Sequence, residues 1–139
     1  MASQKFKIAH GFLPTLFKPT SEKAEAVRVL RTHVMARHVQ EGHRALAICS
    51  ASSNVGCTFV AVNLATSLSQ IGINTLLIDA NLRQPAVDKI FHLETPRAGL
   101  QQCLMQADPN FSEYIESDVL PSLSVMFAGG SAPNAQELL

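Results

Sequence analysis

No charge of one sign prevails in this chain. Eleven basic and eleven acidic side chains cancel to a formal charge of zero over 139 residues. That balance leaves no electrostatic footprint of a dedicated nucleic-acid binder, whose basic face would raise its isoelectric point well above neutrality. No apolar run approaches the ~20 residues that a membrane span requires, and residues 1–7 carry charge without the apolar core of a signal peptide. The chain is therefore expected in the cytoplasm, with no direct membrane span. Its three cysteines, Cys49, Cys57 and Cys103, lack metal-ligand spacing, and their odd number suits a reducing compartment. Cys49 is expected in a strand core. His33 and His38 stand five apart, the wrong spacing for a shared helical face, so the histidines read as solvated or capping residues. Repeats and low-complexity tracts are absent as well. A chain of this length with 47% hydrophobic residues has the means for one core.

What is present centres on Ala51-Ser52-Ser53-Asn54-Val55-Gly56-Cys57-Thr58. Residues 45–49 before it are an apolar run of buried-strand type, and residues 59–71 after it follow a helical apolar period. Strand, loop and helix in that order suit the phosphate-binding pattern G-x-x-x-x-G-K-S/T, in which converging main-chain N–H groups and the positive end of the helix face an anion. Gly56 and Thr58 match the pattern, whereas Ala51 replaces its first glycine and Cys57 its lysine. Cys57 removes a cation aimed at the β- and γ-phosphates, which is much of what phosphoryl transfer needs. The backbone donors survive that change. The same residues also suit a plain loop between a strand and a helix.

A second motif, Leu77-Ile78-Asp79-Ala80-Asn81-Leu82-Arg83, is a buried-strand run ending in a carboxylate. At the carboxyl end of a parallel strand, Asp79 would face the ligand crevice, where it could hold a water on Mg²⁺ or orient a nucleophile. Asp79 is thus the catalytic candidate. The other reading is an aspartate that caps the following turn.

With these motifs in place, the chain resembles the cytoplasmic domain of the bacterial tyrosine kinases that control capsular and exopolysaccharide export. Glu25-Ala26-Val27-Arg28-Val29-Leu30-Arg31 matches that family's E-x-x-R-x-x-R helix. The loop at 51–58 and the acidic motif at 77–83 follow in order, and residues 128–139, ending Pro133-Asn134-Ala135-Gln136-Glu137-Leu138-Leu139, resemble its A-G-x-x-P-P-N-P-x-E-L-L segment. The resemblance implies ATP or ADP and Mg²⁺ as ligands. The nucleotide would lie on Ser53, Asn54, Val55, Gly56, Cys57, Thr58 and Phe59, and the metal at Thr58 and Asp79. It further implies a homo-oligomer joined through Glu25, Arg28 and Arg31, and a membrane-bound polysaccharide chain-length regulator as partner, which would bring the chain to the inner face of the membrane. In that family a lysine stands at the position of Cys57 and an aspartate at that of Asn81. A Walker B strand and a tyrosine-rich tail follow the Glu-Leu-Leu segment, and this sequence stops at Leu139 before either. Tyr114, the single tyrosine, lies in a short amphipathic helix pattern at 111–115 and makes a poor acceptor.

Elsewhere, Ser21 reads as the N-cap of a helix that carries Glu22 and Glu25 in its first turn and runs to about Gly42. Short helices are expected after Pro85 and at 99–105, with a strand at 122–127; Met105 and Phe127 are expected in the core. Arg83 reads as a phosphate or subunit contact, or equally as a solvated arginine. The expected architecture is α/β: a P-loop NTPase-like three-layer domain with a mostly parallel sheet, its C-terminal part missing. Residues 1–20 form an N-terminal arm, whose apolar stretch at 12–17 could dock a partner or strap the domain itself, and residues 21–139 a partial nucleotide-binding domain. Two function classes stand out, a weakly active or inactive relative of the tyrosine autokinases and a non-catalytic nucleotide-binding module for assembly or regulation. A partition or septum-site type ATPase is a third.

Overall fold

The computed structural model describes residues 6–139; the first five residues of the expected arm lie outside the described residues. The central sheet has three strands in the order β2–β5–β4: β2 (Thr75–Ile78), β5 (Leu123–Met126) and β4 (Glu116–Leu120). β2 and β5 run parallel, Thr75 opposite Leu123 and Ile78 opposite Met126. β4 returns antiparallel to β5 and is irregular between Glu116 and Leu120, where Asp118 takes φ of 52°. The sheet is therefore mixed among the described residues, where the sequence predicts a mostly parallel one. A second, two-stranded sheet pairs β1 (Phe6–Ile8) with β3 (Phe91–Leu93) in antiparallel register.

Two long helices carry the architecture, α2 (Glu22–Val34) and α3 (Cys57–Gln70). α2 starts as the sequence predicts, with the Ser21 hydroxyl accepting from the Ala24 N–H at 3.2 Å. It widens into a π turn over Met35–Val39 rather than continuing as an α-helix to Gly42. α3 buries Val62 and Ala65 against Leu77, Leu123 and Val125, the principal core, where Phe91, Ile90 and Leu13 also lie. Phe127 is buried as expected, whereas Met105 is 68% exposed just beyond the short α4 (Leu100–Leu104).

The arm straps the domain itself. Its short helix α1 (Pro14–Phe17) lies on α3, and the buried Asn63 side chain holds it there. Asn63 Oδ1 accepts from the Thr15 hydroxyl at 3.0 Å, while Nδ2 donates to the Phe12 carbonyl at 2.8 Å and to the Phe59 carbonyl at 2.9 Å. Gln70 adds a bond to the Thr15 carbonyl.

The expected strand at 45–49 does not form. Residues 43–50 are irregular and mostly exposed, Leu46 is half exposed, and Cys49, expected in a strand core, lies at the surface. Both edges of β5 are already taken by β2 and β4. An Ala-Leu-Ala-Ile-Cys run, apolar on both faces, needs cover on both sides to be stable as a strand. The outer face of β2 is itself open, with Leu76 and Ile78 each more than two-fifths exposed.

Removing the Asn63 amide leaves the Phe12 carbonyl and the Thr15 hydroxyl without their partner. Asn63→Ala is expected to cost about 1–3 kcal/mol in denaturant unfolding and to open residues 10–18 to protease. Unchanged stability together with unchanged cleavage would remove Asn63 from this role.

Candidate functional site

The residues predicted to bind nucleotide lie where a helix begins. Gly56 takes φ of 91° as the residue before α3, and Asn54 takes φ of 58° in the loop. This left-handed backbone is open to glycine and tolerated by asparagine, and it is a conformation in which successive N–H groups gather on one side, as in an anion-binding nest. Residues 51–56 are exposed, and Cys57, Thr58 and Phe59 are half-buried. Among the described residues no main-chain N–H from 51 to 59 has an acceptor. The first main-chain donor is Val60, to the Gly56 carbonyl at 2.9 Å. Within the loop only the Ser50 hydroxyl bonds, donating to the Ser52 carbonyl. The result is a row of unsatisfied donors at the positive end of a 14-residue helix. Cys57 stands at the first helical position, and its thiol supplies no charge of the kind a lysine brings.

Asp79 follows β2, and its own N–H donates to the Met126 carbonyl at 3.0 Å. Its carboxylate is 6% exposed and accepts three main-chain bonds: Oδ1 from Asn81 at 3.1 Å, Oδ2 from Ala86 at 3.0 Å and from Val87 at 3.1 Å. Of the two readings the sequence left open, this geometry has the form of the cap. One carboxylate closes the loop from Ala80 to Val87, and three of its acceptor positions are filled. Asn81 continues the turn by accepting from the Gln84 N–H at 3.1 Å. The expected helix after Pro85 is a single 3₁₀ turn, Val87–Lys89, held at its start by Asp79.

The C-terminal segment packs against this loop. The Ala132 N–H donates to the Leu82 carbonyl at 2.8 Å, and Leu82 is buried with Ala128, Ala132 and Ala135, the last at the start of α5 (Ala135–Leu138). Arg83 is exposed, and its carbonyl accepts from the Ser131 hydroxyl. At Gly99 a Cβ would overlap the Phe127 carbonyl, so only glycine allows α4 to start against the end of β5. There the Leu100 and Gln101 N–H groups donate to Phe127 and Ala128. Sequence reasoning missed this contact; the lone Gly99 before an apolar helix was its one signal.

The triplet on α2 divides. Glu25 and Arg28 form an exposed ion pair at 2.7 Å, and Arg28 also donates to the Pro19 carbonyl at 2.6 Å. Arg31 turns toward α3, donating to the carbonyl and hydroxyl of Ser67, each at 3.1 Å. Tyr114, the last residue of the 3₁₀ turn Phe111–Tyr114, is 9% exposed and packed with Cys103 and Met126.

No family profile matches the chain. Its similarity to known proteins is nonetheless extensive. It is 30% identical over 122 residues to the putative tyrosine-protein kinase CapB of Staphylococcus aureus, an alignment covering 88% of this chain and 53% of that protein. The kinase domain of the Escherichia coli tyrosine kinase ETK superposes with a TM-score of 0.79 at 32% identity, over 92% of this chain and 49% of that one. The chain belongs to the bacterial tyrosine kinase family. It also aligns over 89 residues at 34% identity with the succinoglycan biosynthesis transport protein ExoP of Rhizobium meliloti, covering 64% of this chain and 11% of ExoP. The chain spans about half the length of CapB and of the ETK kinase domain.

If Asp79 is a cap, Asp79→Asn replaces one of its accepting oxygens with a donor that faces main-chain N–H groups. The expected loss is about 1–3 kcal/mol of stability, with faster amide exchange at Ala86 and Val87 by NMR. Protection at both amides equal to the parent's would contradict the cap.

Proposed function

We propose that this chain is a nucleotide-binding module of a tyrosine-kinase system for polysaccharide export, taking ATP or ADP on residues 53–59 with little or no phosphoryl transfer. The observation that carries this reading is the set of free main-chain donors at the start of α3, in a member of a kinase family whose phosphate-loop lysine is here Cys57. Ser53, Asn54, Val55, Gly56, Cys57, Thr58 and Phe59 offer N–H groups to phosphate oxygens, and such donors do not depend on side-chain identity. The Thr58 hydroxyl is the side chain that suits Mg²⁺. Asp79 has one acceptor position left, enough to hold a water on the metal. Bound Mg²⁺ would neutralise phosphate charge and does not replace the directed cation lost at Cys57.

Three features support assembly or regulation over catalysis. Cys57 supplies no cation. Three acceptor positions of the Asp79 carboxylate are taken by its own loop. The single tyrosine, Tyr114, is buried and so withheld from transfer. The name of ExoP supports a place in polysaccharide export, with a membrane-bound chain-length regulator as partner and the inner face of the membrane as location. Among the described residues no helix is long and apolar enough to cross a membrane. The exposed Glu25–Arg28 pair beside exposed Val29 and Leu30 supports self-association through the outer face of α2.

Calorimetric titration is expected to show ADP·Mg²⁺ binding that pyrophosphate competes away, with no phosphotyrosine after incubation with ATP. Cys57→Lys is expected to tighten ADP binding about tenfold by restoring a charge-assisted contact. Absence of any nucleotide heat or thermal shift would end this reading, and strong autophosphorylation would end its non-catalytic part. In sedimentation, Arg28→Glu is expected to shift the profile toward monomer; an unchanged profile would refute self-association through this face.

A further inference from the structure

α2 and α3 lie side by side, and two contacts define their relation. Arg31 on α2 bonds Ser67 on α3, and the Lys23 ammonium sits 5.9 Å from the centroid of the Phe59 ring. Both contacts join residues separated by 36 positions. The two helices therefore run in the same direction, and their positive ends lie at the same end of the pair. Lys23 is in the first turn of α2; Phe59 is the third residue of α3, only about 3 Å along the axis from Cys57 at 1.5 Å per residue. A helical side chain leans toward its own N-terminus, so the Phe59 ring covers the turn that begins at Cys57. An ammonium on that ring lies beside the first turn of α3.

We propose that Lys23 supplies in trans-helix fashion the phosphate-binding cation that Cys57 no longer provides. The proposal deepens the nucleotide-binding reading and rests on it. Lys23 is exposed and forms no salt bridge among the described residues, so its flexible stem is free to swing from the ring to an anion. Its neighbour in the same turn, Glu25, is already paired with Arg28, which leaves Glu22 as the one opposing charge on that turn. The Phe59 ring keeps the ammonium beside the site when no ligand is bound, a weak hold that phosphate can outcompete.

Lys23→Met tests this, because methionine keeps an apolar stem on Phe59 and deletes only the charge. At low salt the variant is expected to bind ADP and pyrophosphate about fivefold more weakly, the scale of an exposed charge contact. Its melting temperature should stay unchanged, and the difference should shrink as ionic strength rises. Lys23→Arg is expected to retain affinity. In a Cys57→Lys background the same Lys23→Met change is expected to matter less, since the restored lysine makes the second cation redundant. Parent and Lys23→Met proteins with equal affinities would overturn the role of Lys23 while leaving the nucleotide site standing. A loss confined to thermal stability would likewise overturn it, reducing Lys23 to packing. A parent protein that binds neither ADP nor pyrophosphate would overturn both readings.

Discussion

The hydrogen bonds of one buried amide set the conditions for everything at the candidate site. Asn63 is fully enclosed, and an amide in that position without partners would cost several kcal/mol. Here the arm satisfies it, through the Thr15 hydroxyl and the Phe12 carbonyl, while the Phe59 carbonyl one turn back completes the set. The middle of α3 is thereby covered by polar bonds on its arm side and by Leu77, Leu123 and Val125 on its sheet side. Of its first turn only the Phe59 carbonyl shares in these bonds, and the N–H groups of Cys57, Thr58 and Phe59 have no acceptor among the described residues. A helix held so firmly at its centre can leave its first donors open to solvent without fraying, and that opening is what an anion needs.

Asp79 illustrates how one carboxylate at the end of a strand can close the loop that follows it. The end of β2 is fixed by the bond between the Asp79 N–H and Met126, and the acidic side chain then gathers the N–H groups of Asn81, Ala86 and Val87. Asn81 sits where the family has a second acid, yet its amide still accepts from Gln84 and keeps the turn closed. The C-terminal segment depends on that closure, since Ala132 bonds the Leu82 carbonyl within the same loop and Leu82 fills the small core shared with Ala128 and Ala135.

Much of this was legible in the residues. Ser21 followed by acidic residues gave the start of α2, the apolar period after Cys57 gave α3, and the runs at 75–78 and 123–126 gave the parallel pair. The failures have physical causes. Residues 45–49 have the composition of a doubly covered strand, but composition does not reveal whether both faces find cover, and these residues are mostly exposed. Met105 follows the helical period of α4, yet that helix ends after one turn and a half and leaves the side chain in solvent. β4 was missed because Glu116, Ser117 and Asp118 do not look like a strand; Glu116 is buried and pairs with Arg97. At the site, the position of Gly56 at the head of a helix was readable from the pattern. The neighbourhood of Lys23 was not, because it depends on two helices 36 residues apart running the same way.

The replacement of lysine by Cys57 separates two properties that usually occur together. Binding of a polyphosphate draws on many small contributions, from main-chain N–H groups and the helix end, each about equally strong toward ground state and transition state. Acceleration of transfer requires a contribution that grows as charge develops on the moving phosphoryl group, and a directed cation is the part of the site that provides it. A mobile surface lysine held on an aromatic ring can contribute to the first. To contribute to the second it would have to be fixed against the reacting oxygens, and nothing on the first turn of α2 fixes it there.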